Sequence, residues 1–251
     1  DLGPLLAGAA VRLPAEGEWV ISRETALLLP LPRPEFRLAP GLPEQALEGD
    51  GTFRMHTRGT LPPLGWSQIL ANPRFGWMAD ETGCGHLWYQ NARENPLTPW
   101  ENDPLEVGGG EGFFLAADGV YYSLFADGDG LDCSVAYRPG FAVWKKQIGG
   151  AVVETRAFVP PETPARVLQI DRKGGAGGAR LVCRFRPQLT PERDGARFAE
   201  IICKGNYLVI QNPWNRAFWP QSMLLCASGP IEAWRRGRDG AVEVVWTLEG
   251  E

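Results

Sequence analysis

Histidine is nearly missing from this sequence: His56 and His86 are the only two in 251 residues. Cys84 and His86 stand two apart, but no second pair sits at zinc spacing, so a zinc centre finds no ligand set. The acidic run Asp127-Gly128-Asp129-Gly130 lacks the downstream bidentate Glu of a calcium loop and reads as a solvated turn. The five cysteines, Cys84, Cys133, Cys183, Cys203 and Cys226, are odd in number, widely spread and without a CxxC pair. That usage predicts reduced thiols and a cytoplasmic location. Cys133 and Cys183 fall in apolar alternation, where a thiol behaves as a small hydrophobe. Clustered positive charge is lacking as well: 25 Lys and Arg against 30 Asp and Glu leave a net charge of −5. Nucleic-acid backbones and anionic membrane surfaces are therefore excluded as partners. No run approaches the ~20 apolar residues of a spanning helix. The opening Asp1-Leu2-Gly3-Pro4 has neither the basic nor the apolar region of a secretory signal. Without a starting Met, the sequence reads as a piece excised from something longer. No amphipathic helix of three turns stands out, and no fixed-period repeat, which argues against a propeller or a β-helix.

What is there is strand after strand. Leu131, Cys133, Val135 and Tyr137 alternate with Asp132, Ser134 and Ala136, and Leu181, Cys183 and Phe185 alternate with Val182, Arg184 and Arg186. Period two is the signature of half-buried antiparallel strands. Asp118-Gly119, Gly149-Gly150 and Asp239-Gly240 are hairpin-turn signals between such runs. The glycine run 174–178 has no Lys-Ser/Thr ending and precedes a strand, so it is given no phosphate role. Roughly fourteen to seventeen strands are predicted, enough for an all-β domain of two large stacked antiparallel sheets over residues 51–251. Residues 1–50 are rich in Pro and Leu and read as an irregular arm or linker, extended around Pro30, Pro32 and Pro34, with one short strand at 18–22.

Ten Trp and 22 Pro stand out. A buried indole N–H needs a partner, so Trp is a demanding core filler. Most of the ten are assigned to core and loop anchoring, and two or three to sugar-stacking surfaces. The densest polar segment follows two aromatic strands, 75–79 and 85–90, joined by the turn 80–83. It contains Asn91, Arg93, Glu94, Asn95, Thr98, Trp100, Asn102 and Asp103, with Pro96, Pro99 and Pro104 between them. The prolines lower the entropy of the free loop. Arg brings a planar fork of donors, Asn a donor and an acceptor, carboxylates accept from hydroxyls, and Trp offers a flat apolar face. A polyhydroxylated ligand asks for that mix. The same groups can equally satisfy the loop's own backbone or pair Arg93 with Asp103.

The run at 91–104, NARENPLTPWENDP, closely resembles the SRENxLTPWxNDP signature of the cellobiose phosphorylase and cyclic β-1,2-glucan synthase group (glycoside hydrolase family 94, formerly glycosyltransferase family 36). The resemblance continues through residues 69–76 (ANPxFGF in the family), 80–85 (SExGSG), 113–122 (YLRDEETGE, with Arg-Asp replaced by Ala-Ala), 158–161 with 164–170 (FVPxDDPVKI), and 211–218 (RNPWNxAF). It covers roughly residues 50–225 in preserved order. It implies an N-terminal β-supersandwich, galactose mutarotase-like in fold, that precedes a helical linker and an (α/α)6 barrel. In the family the barrel carries the catalytic Asp that protonates the glycosidic oxygen while inorganic phosphate attacks with inversion. Phosphate brings its own nucleophilic oxygen, so one positioned acid and a phosphate cradle suffice.

No barrel is present in this sequence, so no catalytic residue is carried over and no cofactor is expected beyond inorganic phosphate as co-substrate of a full enzyme. The resemblance implies that the sandwich packs on a catalytic helical domain or partner subunit, helps form a homodimer, and extends its polar loop over an oligosaccharide site. Arg93, Glu94, Asn95, Thr98, Trp100, Asn102 and Asp103 are the residues expected to form that edge. The Pro-rich arm looks more like the region preceding this domain in the larger β-1,2-glucan enzymes. Where the family has Gly-Tyr-Ser-Arg-Phe, this chain has Gly140-Phe141-Ala142-Val143-Trp144, which removes the polar positions of that strand.

Two other classes remain open. An aldose mutarotase would need His86 beside a carboxylate, although His86 within Gly85-His86-Leu87-Trp88-Tyr89 is favoured as a packed imidazole bonded to a backbone carbonyl. An independent sugar-binding module would need an exposed aromatic platform, for which Trp77, Trp88 and Trp100 are the candidates.

Overall fold

The computed structural model describes residues 11–12, 19–20, 44–100, 110–117, 119–175, 179–237 and 240–247. The chain is all-β. The strands are β1 (Val11–Arg12), β2 (Trp19–Val20), β3 (Glu44–Leu47), β4 (Phe53–His56), β5 (Gln68–Ala71), β6 (Phe75–Ala79) and β7 (Gly85–Tyr89). There follow β8 (Glu111–Ala117), β9 (Val120–Ser123), β10 (Cys133–Arg138), β11 (Phe141–Ile148), β12 (Ala151–Phe158) and β13 (Val167–Gly174). The last six are β14 (Arg180–Phe185), β15 (Glu200–Lys204), β16 (Tyr207–Gln211), β17 (Ser222–Cys226), β18 (Ile231–Arg236) and β19 (Val242–Thr247). The single helical element among the described residues is one 3-10 stretch, Arg193–Phe198. No helix among them is long and apolar enough to cross a membrane.

Two six-stranded antiparallel sheets, ordered β13-β12-β11-β10-β4-β3 and β2-β18-β19-β14-β8-β9, form the body of the supersandwich. A four-stranded sheet (β1-β15-β16-β17) and a three-stranded sheet (β5-β6-β7) complete it. The expected pair of large sheets is thus present with two smaller ones beside it. The strand count exceeds the expected range partly because β1, β2 and β3, all within residues 1–50, add to sheet edges by pairing with β15, β18 and β4. Of the three, only β2 falls on a strand expected from sequence, the one at 18–22; pieces this short otherwise carry too little alternation to be read. Gly149 and Gly150, with φ of +54° and +79°, turn β11 into β12 as a two-residue loop of primed type requires. The run Pro30–Pro34 lies outside the described residues, as do Asp118 and Asp239 of the other two turn signals.

The sheets meet on one continuous apolar core. Met55, Val135 and Trp144 enter it from the first large sheet, Leu115, Cys183, Val244 and Trp246 from the second, and Trp77 from the three-stranded one. Trp144 sits edge-on to Phe125 (4.9 Å, 83°) and donates its indole N–H to the Glu81 carbonyl at 2.8 Å. Four of the ten Trp (77, 144, 234 and 246) are buried core residues, fewer than the majority assigned to core and loop anchoring, and Trp100, Trp214 and Trp219 are each about half exposed.

Charged groups are buried in this apolar frame with their partners. Arg166 forms a two-pronged bond to Glu111 (2.8 and 2.7 Å), with its guanidinium over the rings of Trp77 and Phe113. Lys146 sits on the inward face of β11, in step with Ala142, Trp144 and Ile148. Its fully buried ammonium donates to Phe125 O (3.1 Å), Asp127 Oδ1 (2.9 Å) and Asp129 Oδ2 (2.8 Å). The 127–130 segment is therefore a bend that is solvated only in part: Asp129 and Gly130 are exposed, but the carboxylates of Asp127 and Asp129 turn in to Lys146. A buried ammonium needs paired oxygens, and these two carboxylates supply them.

Candidate functional site

The segment 91–100 divides sharply into residues that face the scaffold and residues that face out. Its entry is a side-chain-capped turn: Asn91 Oδ1 accepts from the backbone N–H of Arg93 and of Glu94 (both 2.9 Å), and Asn91 O accepts from Asn95 N (3.0 Å). Beyond it the chain runs back along β7, with Leu97 N bonded to Leu87 O (2.8 Å). Asn95, Pro96, Leu97 and Thr98 are buried, whereas Arg93, Glu94 and Trp100 are exposed.

Each expected site residue then has a definite place. Thr98 is fully buried; its hydroxyl donates to Gly85 O (3.1 Å) and accepts from Leu87 N (2.9 Å), fastening the segment to β7. Asn95, also fully buried, donates to Tyr89 O (3.1 Å) and Gln221 Oε1 (2.6 Å), and its Oδ1 has no hydrogen-bond partner among the described residues. Arg93 projects outward, with Glu94 beside it at 3.6 Å. Trp100 is half exposed, with one face stacked on His86 (4.9 Å, 19°). Asn102 and Asp103 lie outside the described residues.

His86 is the middle ring of a Trp88–His86–Trp100 stack, and its Nε2 is 3.0 Å from Ala92 O. Burial holds its pKa below the usual imidazole range. It is the packed, carbonyl-bonded imidazole favoured from sequence, and no carboxylate is bonded to it among the described residues. The one His–carboxylate approach there, His56 Nδ1 to Asp132 Oδ2 at 3.8 Å, is an exposed surface contact.

The second structure in contact with this loop comes from residues 188–221. Asn215 Nδ2 donates to Glu94 O (3.1 Å) and Leu189 O (3.1 Å). Asn212 Nδ2 donates to Gln188 O (2.9 Å) and Gly195 O (3.0 Å), and Gln188 N donates to Leu97 O (3.0 Å). Together with the Asn95–Gln221 bond, these tie three connections into one rigid cluster. On its surface stand Arg93, Glu94, Trp100, Phe198, Trp214 and Trp219. The stretch 211–218 was visible in the sequence as a motif, but nothing there showed that it abuts residues 91–100 or that Trp214 faces out. Of the three Trp offered as platforms from sequence, Trp77 is buried and Trp88 is partly covered.

The acids of the turn 80–83 are internal. Glu81 is 1% exposed; Oε2 accepts from Trp66 N (2.8 Å), while Oε1 is buried without a partner. Burial, with help from the Asp80 charge, pushes its pKa up to about 8. Burial raises Asp80 to about 6 against the pull of its bonds from Thr82. Their side-chain bonds run to Trp66 and Thr82 and not to the segment 91–100. No group of three or more His, Cys, Asp or Glu is placed to hold a metal among the described residues.

Comparison with known proteins agrees with this architecture. Residues 52–173 match the family described as glycosyl hydrolase 94, supersandwich domain. A stretch of 57 residues is 33% identical to the cyclic beta-(1,2)-glucan synthase NdvB of Rhizobium meliloti (strain 1021). That stretch is 23% of this chain and 2% of the much longer relative.

Proposed function

We propose that this chain, whose residues 52–173 belong to the glycosyl hydrolase 94 supersandwich domain family, is the carbohydrate-handling, non-catalytic module of an inverting glycoside phosphorylase or glucan synthase-type enzyme acting on β-glucosides, β-1,2-glucans in particular. It packs on a catalytic (α/α)6 domain, of its own chain or of a partner subunit, and extends residues 91–100 toward an oligosaccharide site there. Phosphate is the co-substrate of that site and no other cofactor is needed. The carrying observation is the cross-bonded loop cluster. Asn95 and Thr98 act from within, holding the loop, while Arg93, Glu94 and Trp100 are left for contact. A rigid loop loses little entropy on binding, which suits a surface that must meet sugar and protein. The glucan preference leans on the resemblance to the synthase alone. Five free cysteines support a reducing, cytoplasmic setting.

The test joins this module to a family barrel in one polypeptide and measures phosphorolysis of sophorose and cellobiose. Arg93→Ala and Trp100→Ala are expected to raise KM about tenfold, a loss of about 1.4 kcal/mol of uniform binding, with kcat little changed. The isolated chain is expected to show no turnover. Phosphorolysis or anomer interconversion by the chain alone, or unaltered KM in both variants, rejects the reading.

A further inference from the structure

Trp214 is an exposed aromatic side chain that the fold holds rigidly. Its ring stacks on Phe198 (centroids 4.6 Å apart, planes 11° apart), and the Arg197 guanidinium lies 4.9 Å from the Phe198 ring centre. Its backbone N–H donates to Asn212 Oδ1 (3.0 Å), the same Asn212 that binds Gln188 O and Gly195 O. Gly195 is buried, and a Cβ there would come within 2.9 Å of Trp214 Cδ1 and 2.8 Å of Thr190 Cγ2, so the absence of a side chain at 195 is what lets the indole settle. Yet Trp214 is 54% exposed although one face is taken by Phe198. Beside the stacked pair lies a shallow cleft of about 370 Å3 lined by Phe198, Pro213, Trp214 and Arg216.

A large exposed indole is costly to leave in water, and immobilising it removes the freedom that would offset this. The arrangement is that of a binding platform formed before its ligand arrives. Its chemistry narrows the ligand. A flat π-face takes the apolar C–H face of a pyranose ring, and the exposed Arg216 that helps line the cleft brings guanidinium donors for ring hydroxyls. Among the described residues no carboxylate lines the cleft, and its one charged side chain, Arg216, disfavours a cationic ligand.

We propose that Trp214, with Arg216, forms an oligosaccharide subsite for β-linked glucose units, separate from the contact made by Arg93 and Trp100. The choice of glucose units rests on the carbohydrate-handling reading above; the existence of a preformed ring platform does not. Asn215 links the two places, since the residue next to Trp214 bonds to Glu94 O. A glucan chain held on Trp214 would lie beside the loop 91–100.

The test is calorimetric titration of the 251-residue chain with sophorotriose and with cellotriose, to about 10 mM, for wild type, Trp214→Ala, Trp214→Phe and, as a control on strand β3, the exposed Leu47→Ala. Trp214 is exposed, so Trp214→Ala should keep its fold, checked by circular dichroism. Wild type is expected to bind at least one trisaccharide, Trp214→Ala to bind about tenfold more weakly or not at all, Trp214→Phe to retain most binding, and Leu47→Ala to match wild type. No binding by wild type, equal binding by Trp214→Ala, or an equal loss in Leu47→Ala overturns the subsite. So does a Trp214→Ala variant whose only change is in sedimentation, which would make this face a protein interface. Any of those results leaves the loop reading to its own KM test in the joined enzyme, and a failed KM test leaves this binding result standing.

Discussion

Replacing Glu81 by Gln isolates the electrostatic consequence of burying an acid in this core. Glu81 is 1% exposed, has one oxygen bonded to Trp66 N at 2.8 Å and the other without a partner, and titrates at about 8 rather than 4.5. Because the folded pKa lies above the unfolded one, the folded state holds the extra proton. Stability from this group is full below about pH 4.5 and is lost as pH rises through about 8. A rise of that size corresponds to about 5 kcal/mol over the whole range. Asp80 and Asp127, each raised to about 6, complete most of their ionisation at lower pH. Between about pH 6.5 and about pH 8.5 the wild-type chain should therefore lose about 2 kcal/mol, mostly through Glu81. Gln is neutral at every pH and can still accept from Trp66 N. Urea unfolding followed by tryptophan fluorescence at both pH values should show that loss in wild type and little of it in Glu81→Gln. Equal loss in both proteins would refute the reasoning, because the titrating group would then lie elsewhere.

Thr98→Val should lower stability by about 1–3 kcal/mol in the same assay, since it leaves Leu87 N and Gly85 O buried without a partner. An unchanged midpoint would mean that this hydroxyl is not what fastens the loop. Lys146→Met should cost about 3–5 kcal/mol by stranding Asp127 and Asp129, more at pH 8 than at pH 5, where protonation relieves Asp127. Adding Asp127→Asn and Asp129→Asn should restore most of the loss, and failure to do so would show that the ammonium contributes something besides neutralising those two carboxylates.

Strand identity was legible wherever one face is buried. The alternation of Cys133, Val135 and Tyr137, and of Leu181, Cys183 and Phe185, appears as β10 and β14, because a period of two puts every second side chain into the core. The Gly149-Gly150 turn was legible because few residues other than glycine adopt two successive positive φ angles. The stretches 91–104 and 211–218 were visible as motifs, and the first supplied the residues named for the site. Sequence also established that zinc-type ligand spacing and a long apolar run are lacking.

Tertiary structure decided which polar residues face which way. Arg93, Asn95 and Thr98 look alike as candidates in a polar, proline-rich run, yet Arg93 points outward while Asn95 and Thr98 are buried as hydrogen-bonding supports. Two of the bonds that lock the loop, Asn95 to Gln221 and Asn215 to the carbonyl of residue 94, span more than a hundred positions, and local pattern carries no record of such distances. The same holds for Lys146, whose inward position on β11 becomes tolerable only through carboxylates from another connection. Alternation is a local property of the chain and can be read along it. The satisfaction of buried polar groups and the exposure of Trp214 depend on what folds against them, and that exists only once the sheets are packed.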